Sequence, residues 1–361
     1  MERAIGRFSS QLVCYHPRPV EPRTWRFSAI VAVALAAVVP SCGGGATPTA
    51  PTSSTAPPAP AAPAAVAGWS LAGQVVATGS RQPVGGASLA PGWSLAAVTA
   101  DTVGNYQLGD AVDPPSRPYP LTISAPGFLS HDVWITWQRG PRVDVTLDII
   151  RDAAPFSADF YGQLVRGNYD QPGAPWPVLR WTVAPSFYVR TVDQNGRAIE
   201  PEVLVNVLDA LRRSVPAWSG GRMSAAAIET GTEVRSQARD WINVDIRRDP
   251  AETRTCGTAF VGANPGLITL NNDVCSCGSN KIPGAVTLHE VGHAMGFFHV
   301  NDRKSVMYPF ESGDCPAGAL SAAESHHAGI AYSRPRGNTE PDKDPAFGTG
   351  AATVSPRLRV H

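Results

Sequence analysis

The sequence predicts a multidomain protein in which an all-β sandwich precedes an α+β domain. Between residues 69 and 152, apolar and polar residues alternate with a period of two, and clusters of Gly and Pro separate the alternating segments. This pattern is typical of short, half-buried strands. Between residues 153 and 336, a segment with helical spacing lies among further strand-like segments, which indicates an α+β domain. A chain of 361 residues is long enough for about two domains.

Charge and hydropathy exclude several classes of protein. The 30 basic and 30 acidic side chains give a net charge of zero, so no general attraction for nucleic acid is expected. Hydrophobic residues make up 43% of the chain, which excludes global disorder. No stretch reaches the roughly 20 apolar residues of a spanning helix, which excludes a multipass membrane protein.

Residues 1–42 are predicted to be a signal peptide. Arg23 and Arg26 precede an apolar run of 13 residues, 27–39, the length of a signal-peptide core. Ser41-Cys42 and the three glycines after it resemble a bacterial lipoprotein box, which implies a lipid on Cys42 and anchoring to a bacterial membrane. Pro40 is unusual in such a box, and ordinary cleavage near Ser41 followed by secretion is the alternative. Both interpretations predict a protein outside the cytoplasm.

Two segments of biased composition flank the predicted domains. Residues 43–68 are rich in Ala, Pro and Thr, a composition that cannot form a core and is typical of a semi-stiff linker. Residues 337–361 begin with a polar, Pro-containing run and are predicted to form a loose tail.

The predicted β-sandwich spans residues 69–152. Its strand candidates are 71–76, 105–108, 121–124, 133–137 and 143–149. The segments 71–75, 83–87, 99–106 and 124–128 resemble the carboxypeptidase regulatory-like (transthyretin-like) domain. A fold alone does not imply an activity, and no catalytic constellation is found in this segment. The β-sandwich is therefore expected to have a binding or spacing role rather than a catalytic one.

The residues that carry chemistry begin with His289-Glu290-Val291-Gly292-His293. On a helix, His289 and His293 are four residues apart and project from one face, so both imidazoles can reach one metal ion. Glu290 lies one step round the helix, where it can act on a zinc-bound water without being a ligand.

Gly296 and His299 extend this motif. Gly ends helices by adopting a left-handed conformation, so the chain can turn at Gly296 and bring His299 back as a third ligand. Three neutral nitrogens leave one tetrahedral position open, which is the arrangement of a catalytic rather than a structural zinc site.

Met307 follows His299 by eight residues, in the segment Ser305-Val306-Met307-Tyr308-Pro309. The long zinc motif followed by a Met-containing turn resembles the metzincins. Tyr308-Pro309 and the segments 320–324 and 329–332 are most similar to the matrixin branch. His299 is followed by Val300 rather than by the Ser or Asp of named subfamilies, which leaves the subfamily open. No thiol latch of the Pro-Arg-Cys-Gly type is found in the sequence.

The resemblance implies a metzincin domain over residues 153–336, with a mixed sheet and an active-site helix. It implies one catalytic Zn²⁺ held by His289, His293 and His299, Met307 as the floor of the site, and Tyr308 and Pro309 as walls of the substrate pocket. The implied reaction is hydrolysis of peptide bonds in extracellular proteins or peptides by a zinc-bound water, with Glu290 as general base. Whether the protein also binds calcium stays open.

Other elements of this domain are predicted from pattern. Apolar spacing predicts a helix over 204–215 that ends at Pro216, and strands are predicted at 178–181, 241–246 and 266–271. In zincins the strand in the position of 266–271 borders the cleft, where an extended peptide can pair with it. A plain interior strand is the alternative. His326 and His327 are expected at the surface rather than as ligands.

Four cysteines of this domain are disulfide candidates, because an even number in an exported protein suggests bridges: Cys256, Cys275, Cys277 and Cys315. A bridge between Cys275 and Cys277 would close a strained ring, which leaves two connectivities. The favoured one is Cys256–Cys275 with Cys277–Cys315. A second zinc site is the alternative, and Cys275-x-Cys277 matches its spacing poorly.

Two further functions compete with a peptidase. One is a tethered, non-catalytic binding or adhesion protein that keeps zinc for stability, and the other is a hydrolase of small non-peptide amides. Glu290 argues against the first, since a purely structural zinc site has no need of that carboxylate.

Overall fold

The computed structural model describes residues 69–93, 96–110, 118–135, 142–249, 251, 255–273, 276–277, 280–282, 284–309, 318–346 and 359–360. All of them belong to one compact unit, Ala61–His361. The predicted signal peptide, Cys42 and the linker lie outside the described residues, as do Cys275, Cys315 and the side chain of Cys277. Within the described part, no helix is both long and apolar enough to cross a bilayer.

The N-terminal module is all-β. Its strands are β1 (Trp69–Ala77), β2 (Ser88–Pro91), β3 (Val98–Thr99), β4 (Asn105–Asp110), β5 (Tyr119–Ser124), β6 (His131–Ile135), β7 (Val143–Asp144) and β8 (Leu147–Ile149). One sheet has the order β4-β1-β7, with β8 also paired to β1, and the other has the order β3-β2-β5-β6. One hydrophobic cluster with side chains from both sheets forms the core. Four predicted strands correspond to β1, β4, β5 and β6, whereas membership of the transthyretin-like family stays a prediction.

The predicted single strand 143–149 is two strands, β7 and β8, which run parallel to β1 on either side of a break. At the break the two backbones approach closely, because the Val145 N–H donates to the Ala72 carbonyl at 2.7 Å. A Cβ on Gly73 would lie 2.0 Å from the Val145 oxygen. The alternating pattern located the segment correctly but did not indicate this close approach, which only Gly permits.

The second module is α+β. Its helices are α1 (Ala158–Arg166), α2 (Pro201–Trp218), α3 (Gly284–Ala294) and α4 (Ala322–Ser333). Its strands are β9 (Ser186–Arg190), β10 (Ile228–Gly231), β11 (Trp241–Arg247), β12 (Gly257–Phe260), β13 (Gly266–Asn271), β14 (Ser276–Cys277), β15 (Asn280–Lys281) and β16 (Arg359–Val360). Six of the strands form a sheet with the order β10-β9-β11-β13-β12-β16. The first four are parallel, and β12 is antiparallel to β13, so the sheet is mixed as expected.

The predicted end of α2 at Pro216 is wrong, since the helix continues to Trp218. Pro216 removes only its own N–H so close to the end of the helix, which limits the loss of hydrogen bonding. Trp218 compensates, because its indole N–H donates to the Leu288 carbonyl at 2.9 Å and its ring stacks on Phe297. The burial of Trp218 against α3 therefore overrides the local helix-breaking residue.

The segment 178–181, predicted to be a strand, does not belong to any strand of the sheet. Val178 exchanges backbone hydrogen bonds of 2.9 Å with Gly337 and Asn338. The Trp181 indole donates to the Ala294 carbonyl at the end of α3 at 2.7 Å. The segment thus connects the end of α3 to the residues that follow α4, while β9 supplies the strand of the sheet.

The expectation of a loose tail is wrong for residues 337–346. Asn338 and Asp342 are buried, and the Asp342 carboxylate binds the guanidinium of buried Arg334 with both oxygens. The same guanidinium binds Asp148 and Thr78 of the N-terminal module. The polar composition of this segment therefore reflects a buried ion-pair network rather than solvation, because buried charges need partners.

His131 on β6 lies in the same network. Its Nδ1–H donates to the Asp148 carbonyl at 2.8 Å, and its Nε2 is 3.2 Å from Asp344 Oδ1 and 3.9 Å from Asp342 Oδ1. Burial and the charge of Arg334 lower the pKa of His131, but the Asp344 hydrogen bond and the two carboxylate charges outweigh them and raise it above its ordinary value.

We expect His131 to make stability pH-dependent. A raised pKa in the folded state means that the stabilisation is fully present below about pH 6.5, the unfolded pKa, and is lost as the pH rises through the folded pKa. His131→Asn keeps a donor for the Asp148 carbonyl and does not titrate. The difference in unfolding free energy between wild type and variant, measured with urea from pH 5.5 to 8.5, should shrink with rising pH. A constant difference would contradict the assignment.

Candidate metal centre

The helix α3 carries His289, Glu290 and His293, and all three side chains are buried. The helix ends at Ala294, and Gly296 follows with a φ of 107°. A Cβ on Gly296 would lie 2.9 Å from the Leu179 backbone, so both the conformation and the space require Gly. This turn returns the chain so that His299 lies beside the two helical histidines.

The three imidazoles converge on one point. His293 Nε2 lies 3.0 Å from His289 Nε2 and 3.2 Å from His299 Nε2. The opposite nitrogens are engaged, because Nδ1 of His289 contacts the Val306 carbonyl and Nδ1 of His293 contacts the Phe297 carbonyl. A carbonyl can only accept a hydrogen bond, so both Nδ1 atoms carry the proton and both Nε2 atoms present lone pairs.

Burial favours the neutral form of the His289 and His293 rings. It lowers the pKa of His289 to about 3 and also lowers the pKa of His293, helped in each case by the charges of neighbouring histidines. Lone pairs this close repel one another unless a cation lies between them. Tetrahedral zinc with Zn–N bonds near 2.0 Å separates its ligand atoms by roughly 3.3 Å, so the nitrogens fit such an ion.

Glu290 lies beside this group of histidines but is not part of it. Its carboxylate lies against β12, where a Cβ on Gly257 would be 2.5 Å from Glu290 Oε1. Oε2 is buried without a hydrogen-bond partner among the described residues, and burial raises the pKa of the carboxyl well above its ordinary value. A buried carboxyl with a raised pKa is suited to taking up and releasing a proton.

Met307 lies against α3. It is fully buried, and a Cβ on Gly292 would be 2.7 Å from its sulfur. The turn that contains Met307 is held by Glu324 at the start of α4, which accepts from the Ser305 hydroxyl and from the Met307 N–H. Sequence reasoning assigned no role to Glu324, although Ser321-x-x-Glu324 is the pattern of a capping box, and α4 has that cap.

Asp170 was also missed. Its carboxylate contacts both the ring and the backbone of His299. The two residues are 129 positions apart, and Asp170 lies in no motif, so nothing in the sequence indicates this contact.

His327 is buried rather than exposed as expected. Its Nδ1 contacts the Ala323 carbonyl, and its Nε2 accepts from the Ser157 N–H at 2.9 Å. It therefore connects α4 to Ser157, the N-cap residue of α1, and is not a metal ligand. His326 beside it is partly exposed.

His131, Asp342 and Asp344 form a second group in which one nitrogen and two oxygens lie close together. Both oxygens of Asp342 are already bound by Arg334, and Asn338 donates to Asp342 and to Asp344. We assign this group to the ion-pair network rather than to a metal.

The strand β13 is an interior strand, since it lies between β11 and β12. The strand next to Glu290 is β12, whose other edge is paired with the antiparallel strand β16. Cys256 immediately precedes β12 and is buried. The predicted connectivity of the four cysteines stays a prediction.

One comparison bears on this site. The family model of the matrixins, a peptidase family, matches residues 271–331, from the end of β13 through the three histidines and the Met307 turn into α4. No curated protein matches the chain. The match supports a metzincin-like zinc metalloprotease and agrees with the donor atoms that the structure brings together.

Proposed function

We propose that the protein is a zinc-dependent endopeptidase with His289, His293 and His299 as ligands and Glu290 as general base. The observation that carries the proposal is the convergence of three Nε2 atoms, with the Nδ1 atoms of His289 and His293 fixed by carbonyls. Beside them lies a buried carboxylate oxygen of Glu290 that has no hydrogen-bond partner in the described part of the chain. A structural zinc site is normally closed by a fourth protein ligand, whereas a catalytic site keeps one position open.

Zinc bound at this site would supply Lewis-acid chemistry, by lowering the pKa of a water molecule and polarising the scissile carbonyl. The protein supplies the proton transfer. Glu290 accepts a proton from the attacking water and then passes it to the nitrogen of the leaving amine. The hydrogen bonds from Nδ1 of His289 and of His293 keep these two ligands neutral and oriented throughout.

We propose peptides or proteins as the substrate class. An extended peptide can bind by adding a strand to an exposed edge of a sheet. The strand β12 lies against Glu290, and its outer edge already pairs with the two-residue antiparallel strand β16, so an extended peptide would bind this edge in place of β16. Met307 would form the floor of the site.

The proposal is tested by metal removal and a peptide-library digest on the full chain. We expect about one zinc per chain by elemental analysis and cleavage detected by mass spectrometry. Dialysis against a chelator should abolish cleavage, and added Zn²⁺ should restore it. Stoichiometric zinc without cleavage across a broad library would instead identify a binding protein, and cleavage of small amides alone would change the substrate class.

A further inference from the structure

We propose that Asp170 is a positioning residue that fixes the third zinc ligand, His299. This inference rests on the proposed function, because it concerns the ligand set of the same site. Asp170 Oδ1 lies 2.8 Å from His299 Nδ1, and Asp170 Oδ2 accepts from the His299 backbone N–H at 3.1 Å. One carboxylate therefore binds the ring and the main chain of the same residue.

His299 differs from the other two histidines in what holds it. His289 and His293 are fixed by the helix α3, and their Nδ1 atoms contact backbone carbonyls. His299 lies beyond Gly296, outside any helix, so no regular element fixes its ring. Its Nδ1 contacts a charged carboxylate instead, and charge-assisted hydrogen bonds are about twice as strong as neutral ones.

The loop that carries His299 is held by the same part of the chain that supplies Asp170. The Phe298 N–H donates to the Leu164 carbonyl at 2.8 Å, and the Asn301 N–H donates to Gln163 Oε1 at 2.7 Å. Both acceptors belong to α1, which ends at Arg166 and is capped by Gly167 with a φ of 73°. The chain then reaches Asp170 three residues later. The loop that carries His299 is therefore bound both by α1 and by the turn that follows α1.

This arrangement has a chemical consequence for the metal centre. A carboxylate on Nδ1 holds the proton there, which leaves the lone pair on Nε2, and it makes the imidazole a stronger donor. Asp170 is also mostly buried, with 14% of its side chain exposed, so solvent weakens the contact little. Partners of this kind typically contribute 10–100-fold to metal affinity or activity.

Two substitutions test the proposal. Asp170→Ala removes both contacts, and Asp170→Asn keeps the shape and one acceptor but removes the charge. Asp209→Asn is the control, since it removes a carboxylate from an exposed ion pair with Arg212 on α2. Zinc affinity is measured by competition with a chelator, and the visible absorption spectrum of the Co²⁺-substituted protein reports ligand geometry. Neither readout depends on peptide cleavage.

We expect Asp170→Ala to weaken zinc binding by about 10–100-fold and to change the Co²⁺ spectrum. Asp170→Asn should weaken binding by less, and the control should match wild type. Wild-type affinity and spectrum in Asp170→Ala would overturn the proposal. If Asp170→Ala does not fold, Asp170→Asn decides, and an unchanged affinity and spectrum in that variant overturn it. Wild type that binds zinc but cleaves no peptide would refute the proposed function and leave the role of Asp170 intact.

Discussion

Glu290→Gln is expected to lower peptide cleavage by at least ~10²-fold and to leave zinc stoichiometry near one, because a positioned general base contributes on this scale. The carboxylate is buried against β12 and lies outside the group of three histidines, so the amide keeps the shape of the side chain and loses only its basicity. Thermal stability should change little, since burial disfavours the charged form of this carboxyl in the metal-free protein.

His293→Ala is expected to lose zinc together with peptide cleavage, in contrast to Glu290→Gln. Its Nε2 lies 3.0 and 3.2 Å from those of the other two histidines, so its loss leaves two nitrogens, which bind zinc poorly. Zinc content and kcat/KM are measured on the same preparations of both variants. Cleavage by Glu290→Gln at the wild-type rate would refute the mechanism, and retention of zinc by His293→Ala would refute the ligand set.

Arg334→Met is expected to lower the free energy of unfolding by about 3–5 kcal/mol, the usual cost of removing one partner of a buried ion pair. Arg334 is 1% exposed, and its guanidinium binds Asp342, Asp148 and Thr78. Met roughly preserves the apolar volume, so the loss reports mainly the carboxylates that are left unpaired.

Arg212→Met is the matched control, since Arg212 pairs with Asp209 on the exposed side of α2 and such pairs contribute about 0–1 kcal/mol. Both variants are compared with wild type by urea unfolding at neutral pH. A loss below about 1 kcal/mol for Arg334→Met would show that the buried network contributes little net stability.

Local sequence patterns correctly predicted that His289, His293 and His299 lie close together. The spacing of His289 and His293 fixes their relative position once a helix forms, and Gly296 supplies the turn that brings in His299. The α+β class, the strand β11 and the bounds of β13 also follow from patterns within a few residues of the chain. In each of these cases the sequence pattern that predicts the feature lies within a single short segment of the chain.

The features that sequence reasoning missed depend on distant partners. Trp218 continues α2 past a proline because α3 offers a carbonyl, and 178–181 leaves the sheet because residues 337–338 bind it. Asp170 carries no local pattern that connects it with His299. The polar run from Asn338 to Asp342 has the composition of a solvated tail, and its contacts with distant buried groups such as Arg334 make it part of the core.

The contact between Arg334 and Thr78 joins residues that are 256 positions apart, and the Trp134 indole reaches Asp344 across 210 positions. Such contacts form only after very large loops have closed, and folding slows as the mean sequence separation of native contacts rises. During synthesis, Asp148 and His131 emerge from the ribosome long before their partners exist. These contacts between the two modules therefore form only after residues 334–344 have been synthesised, whereas the core of the N-terminal module lies within residues 69–149.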